Sequence, residues 1–416
     1  MYVTKNTWYI LVILILSLAT RFAFFGHPAE TVFDEVHFGK YIDSYSTGEY
    51  YFDIHPPLGK MMIAGASKLG GYEAGDFTFD DIGTKYQNNV YKTMRAIPSL
   101  AGALLPLVIY LLALQLGFTK NGAALAAALT IFENGLITQS RFILMDSFML
   151  LFGFSALYFY TKKNFWAAGI LGACAGAIKW TGLSFIGIIW ILYFIAWLRE
   201  TNKGKHALVG VLTLIILPII VYYSIFALHF KLLPNPGPGD AFMSQEFRDG
   251  NLSTVGKFTN LNKVMYTANK GLSATHPFSS VWYEWPINKR AIFYWHGAQG
   301  DIWFIGNPLV WIFALIGIIY TVIHRPKTST QKFLIFGYFV NLLPFMFIGR
   351  VMFLYHYFPS LIFAILALTY FLDRRIKKAH YIGLIFMIFV AFVIIAPFTY
   401  GIEAPEFILK ISKLFI

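Results

Sequence analysis

Apolar runs of about 16 to 24 residues recur along this chain, most of them long enough to cross a hydrocarbon core of roughly 30 Å as a helix. They fall at 8–25, 93–116, 121–138, 142–161, 164–179, 182–198, 206–228, 307–323, 332–349, 352–371 and 380–398. The expected fold is therefore an all-α polytopic membrane protein with about eleven transmembrane helices. Of the 416 residues, 57% are hydrophobic and only 13% charged, where a soluble domain needs about twice that charge to cover its surface. Trp8 to Phe25 is apolar, but no small-residue cleavage site follows and Arg21 lies within it. The segment is expected to remain as a span rather than be removed as a signal peptide.

Charge placement gives the topology. Lys5, Lys120, Lys162, Lys163, Arg199, Lys203 and Lys205 fall on one side when the spans alternate. So do Arg325, Lys327, Lys332, Arg374, Arg375, Lys377 and Lys378, which marks that side as cytoplasmic. This clustering between spans also explains the net charge of +12 without nucleic acid. Two long polar stretches, 26–92 and 229–306, then face outward, as does the C-terminal tail. Within the first, Leu58–Leu69 is mostly apolar but too short to cross, and is expected as an interfacial helix. The chain reads as one integral-membrane domain over 1–416. The lone Cys174 permits no intramolecular disulfide and no cysteine metal cage.

The chemistry-bearing residues gather at the outer boundary. Phe33-Asp34-Glu35-Val36-His37 places two adjacent carboxylates just outside the first span. They read as a solvated acidic loop or as a general base beside a positioning carboxylate: an attacking hydroxyl must lose its proton, and a carboxylate in reach can take it. On an extended segment the two would point to opposite sides. Arg21, Arg95, Arg141 and Lys179 lie near the same boundary. Each alone reads equally as a snorkelling residue, but together with the acidic pair they suit an anionic lipid phosphate. Asp146 lies inside the fourth span, either as a functional group or as an ion-pair partner of Arg141. In the second loop His276 and the aromatics Trp282 and Trp285 read as a sugar or peptide platform or as headgroup anchors. Tyr355 and His356 at the start of the tenth span share that ambiguity. The histidines show no ligand spacing, so no metal site is expected.

These segments together resemble the protein O-mannosyltransferase family, of the GT-C class of membrane glycosyltransferases. The matching stretches are FDEVHFGKY (33–41), DIHPPLGK (53–60), MRAIPSLAGAL (94–104) and ENGLITQSRFILMDSFML (133–150). KWTGL (179–183), PGPGDAFMSQEF (236–247), THPFSSVWYEWP (275–286), GNPLVW (306–311) and FLYHYFPSL (353–361) follow in family order. The resemblance implies a GT-C fold with two external loops. It also implies inverting transfer of mannose from a polyprenyl- or dolichyl-phosphate mannose to Ser or Thr hydroxyls of secreted or membrane proteins. It makes Asp34 the catalytic base and Glu35 its neighbour in the acceptor site. Arg21, Arg95, Arg141 and Lys179 become donor-phosphate residues. His55, Asp146, His276, Trp282, Trp285, Tyr355 and His356 become candidate acceptor or sugar contacts. The lipid-linked sugar is a substrate, and no cofactor is implied.

One departure stands out. Eukaryotic members carry a large soluble MIR domain in the second loop, and residues 229–306 are too few to hold it beside the shared motifs. That points to a minimal, prokaryotic form in the plasma membrane with its site facing the exterior. Two other readings remain: a GT-C transferase with another sugar or a lipid or glycan acceptor, and a transporter. A transporter would place paired repeats and polar groups near the bilayer midplane, whereas here the polar residues lie at one face.

Overall fold

The computed structural model describes residues 7–412; Lys5, counted above on the cytoplasmic side, lies outside them. The first apolar run forms α1 (Thr7–Phe22). The first loop then carries α2 (Glu35–Thr47) and α3 (Leu58–Leu69) before α4 (Tyr91–Gln115). Next come α5 (Lys120–Ile131), α6 (Asn134–Ser140), α7 (Asp146–Thr161), α8 (Phe165–Ile178) and α9 (Leu183–Leu198). A π-helical segment, Leu212–Ile216, joins α10 (Lys203–Val211) to α11 (Leu217–Leu232) in one continuous helix. The second loop holds α12 (Gln245–Arg248), α13 (Thr254–Gly271) and an antiparallel hairpin of β1 (Ile292–Gly297) and β2 (Gly300–Phe304). The chain ends with α14 (Pro308–Ile323), α15 (Ser329–Leu342), α16 (Phe358–Leu372), α17 (Lys378–Tyr400) and α18 (Glu406–Ser412).

Each expected span contains a helix, though several bounds differ. Five helical stretches among the described residues are long and apolar enough to cross a membrane: Tyr91–Gln115, Trp180–Leu198, Lys203–Leu232, Leu354–Leu372 and Lys378–Tyr400. Thr7–Phe22, Phe165–Ile178 and Pro308–Ile323 are shorter apolar helices. The expected span 121–138 is broken between α5 and α6, because the buried Glu133 carboxylate caps α6 by accepting from Leu136 N–H. The expected span 142–161 begins later, at Asp146. α16 lies at the centre, with every residue from Phe358 to Thr369 buried. Such all-round apolar burial marks an inner helix of a bundle, and α14, α15 and α5 pack on it.

In the first loop the acidic pair sits at a helix start rather than on an extended segment. That helix, α2, stops at Gly48, whose left-handed φ of 76° lets its N–H reach Ser44 O. Helix α3 has the expected bounds, and it packs on α2, α4 and α8. Gly59 lets it sit close: a Cβ there would come within 2.4 Å of Met145 Sδ. The β hairpin packs on α6 and α17. Its inward residues Ile292, Tyr294, Ile302 and Phe304 are fully buried, so the second loop is sewn onto the bundle.

Candidate active site

Asp34 and Glu35 part company at the start of α2. The preceding Phe33 holds a φ of 47°, an unfavourable conformation for a residue with a Cβ. It is fixed there by donating its N–H to Tyr294 O at 3.0 Å and by stacking on the Tyr294 ring with centroids 4.2 Å apart. Asp34 occupies the position before the helix with helical φ and ψ of −67° and −1°, and its side chain does not cap. Capping needs extended backbone at that residue. The half-buried Asp34 carboxylate therefore has no hydrogen-bond partner among the described residues.

Glu35 is its opposite, fully buried and fully engaged. Its Oε1 accepts from Arg95 Nε at 2.8 Å and Ile143 N at 2.9 Å. Its Oε2 accepts from Arg95 Nη2 at 2.6 Å, Val32 N at 2.8 Å and the Tyr86 hydroxyl at 3.0 Å. Glu35, expected beside the acceptor, has both carboxylate oxygens committed to the scaffold here. It ties the Asp34 turn to α4 and to the segment before α7.

The arginines belong to the same scaffold. Besides Glu35, Arg95 donates to Pro28 O at 2.6 Å and Glu30 O at 2.7 Å. Arg21 donates to Thr20 Oγ1, Ile131 O and Thr130 O. Arg141 donates to Arg21 O, Ala23 O and Phe24 O. All three side chains are buried, and their forks hold protein carbonyls at loop and helix ends. In this structure Arg21, Arg95 and Arg141, expected as donor-phosphate residues, instead direct their terminal nitrogens to protein groups.

Lys179 does reach the cluster around Asp34. Its Nζ donates to Asp146 Oδ1 at 2.9 Å and Oδ2 at 2.8 Å, and lies 5.0 Å from the Tyr355 ring centroid. Asp146 also accepts from Gln139 Nε2 at 2.6 Å. Gln139 in turn accepts from the Tyr294 hydroxyl. The partner of Asp146 is thus Lys179 and not Arg141, because the non-helical stretch before α7 turns Arg141 toward the end of α1.

Several further residues frame this centre. His55 and Tyr355 lie within electrostatic reach of Lys179, Asp146 or Asp34. Lys60, buried, pairs with Asp53 and donates to His55 O at 2.9 Å. Arg350 acts electrostatically on His55, Tyr355 and His356. It is half-buried and has no hydrogen bond or ion pair among the described residues. The sequence reading singled out none of Asp53, Lys60, Gln139, Tyr294 and Arg350. For Arg350 a signal existed: it is the lone cation in the outward turn between the ninth and tenth spans.

Trp285 is corrected from sugar platform to core. It is fully buried, donates to Ser280 Oγ at 3.0 Å, and stacks on His356 with centroids 5.8 Å apart. His356 Nδ1 lies 2.9 Å from Phe353 O and 3.2 Å from Phe353 N. Trp282 is half-buried. His276 is also half-buried, accepts from Phe278 N at 3.2 Å and sits edge-on to Phe353 at 5.0 Å. No group of three His, Cys, Asp or Glu side chains that could hold a metal gathers among the described residues.

The environment tunes the centre. Loss of water pushes the Asp34 carboxyl up to about 6, with Asp146 and Asp53 adding to the rise and His37 and Lys179 opposing it. Desolvation, then Lys179, Lys60 and Arg350, hold His55 well below its ordinary value, so its ring is neutral at neutral pH. The arrangement presents a carboxylate of moderate basicity, unpartnered among the described residues, within electrostatic reach of Lys179, while Arg350 acts on the neighbouring His55 and Tyr355. That set can accept a proton and meet an anion in one place.

Residues 11–234 match the family described as dolichyl-phosphate-mannose-protein mannosyltransferase. Residues 254–325 and 324–415 match the C-terminal four-transmembrane region of protein O-mannosyltransferase. Protein O-mannosyltransferase 1 of Drosophila pseudoobscura pseudoobscura is 37% identical over 265 residues, covering 58% of this chain and 29% of that protein. Protein O-mannosyl-transferase 2 of Danio rerio is 36% identical over 259 residues, covering 57% and 34%. The chain thus spans about a third of the length of these relatives. The donor-bound Pmt1-Pmt2 protein O-mannosyltransferase complex of Saccharomyces cerevisiae superposes with a TM-score of 0.91 at 20% identity, over 99% of this chain and 92% of that one. An Archaeoglobus fulgidus oligosaccharyltransferase superposes at 0.57 and 13% identity, over 96% of this chain and 54% of that one. The fold is GT-C.

Proposed function

The chain belongs to the protein O-mannosyltransferase family, and on that premise we propose that it transfers mannose from a polyprenyl- or dolichyl-phosphate mannose to Ser or Thr hydroxyls of a polypeptide, with inversion. The observation that carries the reading is the Asp34 carboxylate, held at a helix start by the Phe33–Tyr294 contact and left without a partner of its own among the described residues.

In the proposed step Asp34 takes the proton of the acceptor hydroxyl as its oxygen attacks the anomeric carbon. The carbon–oxygen bond to the phosphate breaks on the opposite face, and polyprenyl phosphate leaves with the electron pair. Single displacement gives inversion. Negative charge growing on the leaving phosphate is met by Arg350, whose fork is uncommitted, and by Lys179. An arginine fork suits phosphate oxygens. Glu35 with Arg95, and Gln139 with Tyr294, act as positioning residues behind the centre. His55, Tyr355, Trp282 and His276 line the approach available to acceptor or sugar. The one-sided distribution of basic loop residues supports a site on the non-cytoplasmic face.

The test is incubation of detergent-purified protein with labelled polyprenyl-phosphate mannose and a Ser/Thr-rich peptide, followed by mass analysis. A hexose increment on a peptide hydroxyl is expected. Label recovered only on lipid or glycan would replace the peptide by another acceptor.

A further inference from the structure

The end of the bundle opposite Asp34 carries a second built feature. Helix α9 starts four residues beyond Lys179 and runs about 24 Å to Leu198, and residues 199–202 lead straight into α10. Between α9 and the π-helical segment lies an open apolar groove of about 320 Å³, walled by Trp190, Phe194 and Trp197 on one side and Val211, Leu214 and Ile215 on the other. Tyr193 closes its inner wall and also lines an adjoining polar cup of about 270 Å³ that contains Asn202, Lys205 and His206.

The groove is shaped by specific contacts rather than by loose packing. Tyr193 lies over Gly210, where a Cβ would come within 2.3 Å of its ring, and its hydroxyl donates to His206 O at 2.7 Å. Trp190 donates its indole N–H to Leu214 O within the π-helical segment. Such segments are frequent at functional sites. At the mouth, Trp197 donates to Lys203 O at 3.0 Å, with the Lys203 ammonium 5.6 Å from its ring centroid. Lys205 and Glu200 are the charged residues lining the cup, and Lys203 adds a second cation at the mouth over Trp197. Glu200 is already turned to Thr201 and, at 3.6 Å, to His206.

We propose that this groove and cup form a binding site for an anionic glycerophospholipid of the basic-side leaflet. Its phosphodiester lies among Lys205, Asn202 and Lys203, and one acyl chain lies along Trp190, Val211 and Leu214. Charge complementarity selects the headgroup, since a polybasic rim attracts anionic lipid and ignores a zwitterion. The groove is sized for part of an acyl chain, and it lies at the far end of the bundle from the sugar-transfer centre.

Native mass spectrometry of the full chain released from nanodiscs of equimolar phosphatidylglycerol and phosphatidylcholine tests this. One retained phosphatidylglycerol is expected, favoured over phosphatidylcholine by about fivefold for each engaged cation. Lys205→Glu should bring that ratio toward one. Val211→Trp should reduce retention of both lipids by filling the groove. Lys327→Glu, a charge change in a different basic loop, should leave the ratio unaltered. Melting temperatures matched to the parent protein show that each variant is folded, and Lys203→Glu replaces Lys205→Glu if that chain does not fold. Equal retention of the two lipids by the parent protein, or an unaltered ratio in both lysine variants, overturns the proposal. Displacement of phosphatidylglycerol by an equal amount of polyprenyl phosphate also overturns it, in favour of a polyprenol site.

Discussion

Arg95 Nη2 and Glu35 Oε2 stand 2.6 Å apart, with at most 1% of either side chain exposed. The fork is bidentate, since Nε also donates to Oε1, and Glu35 accepts three further hydrogen bonds. Two charges buried this deeply persist only when each is fully satisfied. Removing one partner of such a pair costs about 3–5 kcal/mol. Arg95→Ala and Glu35→Ala should each lower thermal stability in detergent by that order. Replacing both residues with Met should lose less than the sum of the two. Among molecules that remain folded, Arg95→Ala should leave the KM for donor near normal. A large rise in donor KM with unchanged melting temperature would return Arg95 to the phosphate site.

Arg350 is expected to behave in the opposite way. It is half-buried and acts on His55, Tyr355 and His356 without any hydrogen bond of its own among the described residues. Arg350→Ala should leave melting unchanged and weaken donor use by roughly 1.5–3 kcal/mol, the worth of a charge-assisted hydrogen bond. Steady-state kinetics with varied donor and fixed acceptor peptide would show it. Normal donor kinetics would exclude Arg350 from the centre.

The helices were readable because a bilayer leaves an apolar run of that length little alternative to a helix. The breaks were not: Glu133 ends α5 by capping α6, and the buried partners that stabilise it, Asn307 N–H and the Trp311 indole, come from α14 and the residue before it. The acidic pair was visible as a pair, yet its division of labour was not. Which carboxylate turns inward depends on Arg95, sixty residues away, and on a hairpin residue, Tyr294, that carries no motif. Likewise Asp146 has Arg141 nearby in sequence, but its lysine partner arrives from the end of α8. Span-end arginines look alike along a chain. Only the fold tells a fork filled by carbonyls, as in Arg21 and Arg141, from an open one.

The pH profile follows from Asp34. Its carboxyl lies at about 6 rather than 3.8, and only the ionised form accepts a proton. Below pH 6, kcat/KM should fall by about tenfold per pH unit as the base is protonated, and above that value it should level off. His55 cannot supply this limb, since burial and its cationic neighbours hold it well below its ordinary value. Rates measured from pH 5 to 8 with matched protein stability decide the matter. A flat profile down to pH 5 would contradict the assignment.

Asp34→Asn separates catalysis from folding. Asparagine keeps the shape and removes the basic lone pair, so turnover should drop about a hundred- to ten-thousandfold. Asp34→Glu should recover little, because a carboxylate moved by about 1 Å can lose about a hundredfold. Stability should move the other way. A carboxyl raised from 3.8 to about 6 binds its proton more tightly in the folded protein than in the unfolded chain. Its ionisation therefore costs folded-state stability as pH rises between those values, and the full cost is present at neutral pH. Asparagine carries no such cost, so at pH 7 Asp34→Asn should be more stable than the parent by about 1–3 kcal/mol. The difference should shrink as pH falls below 6 and vanish near 4. Melting in detergent at pH 7 and pH 4, beside peptide transfer at pH 7, gives both readouts. An Asp34→Asn protein that melts higher at neutral pH yet transfers mannose at a near-normal rate would place the base elsewhere, with Asp53 and Asp146 the remaining carboxylates of the cluster.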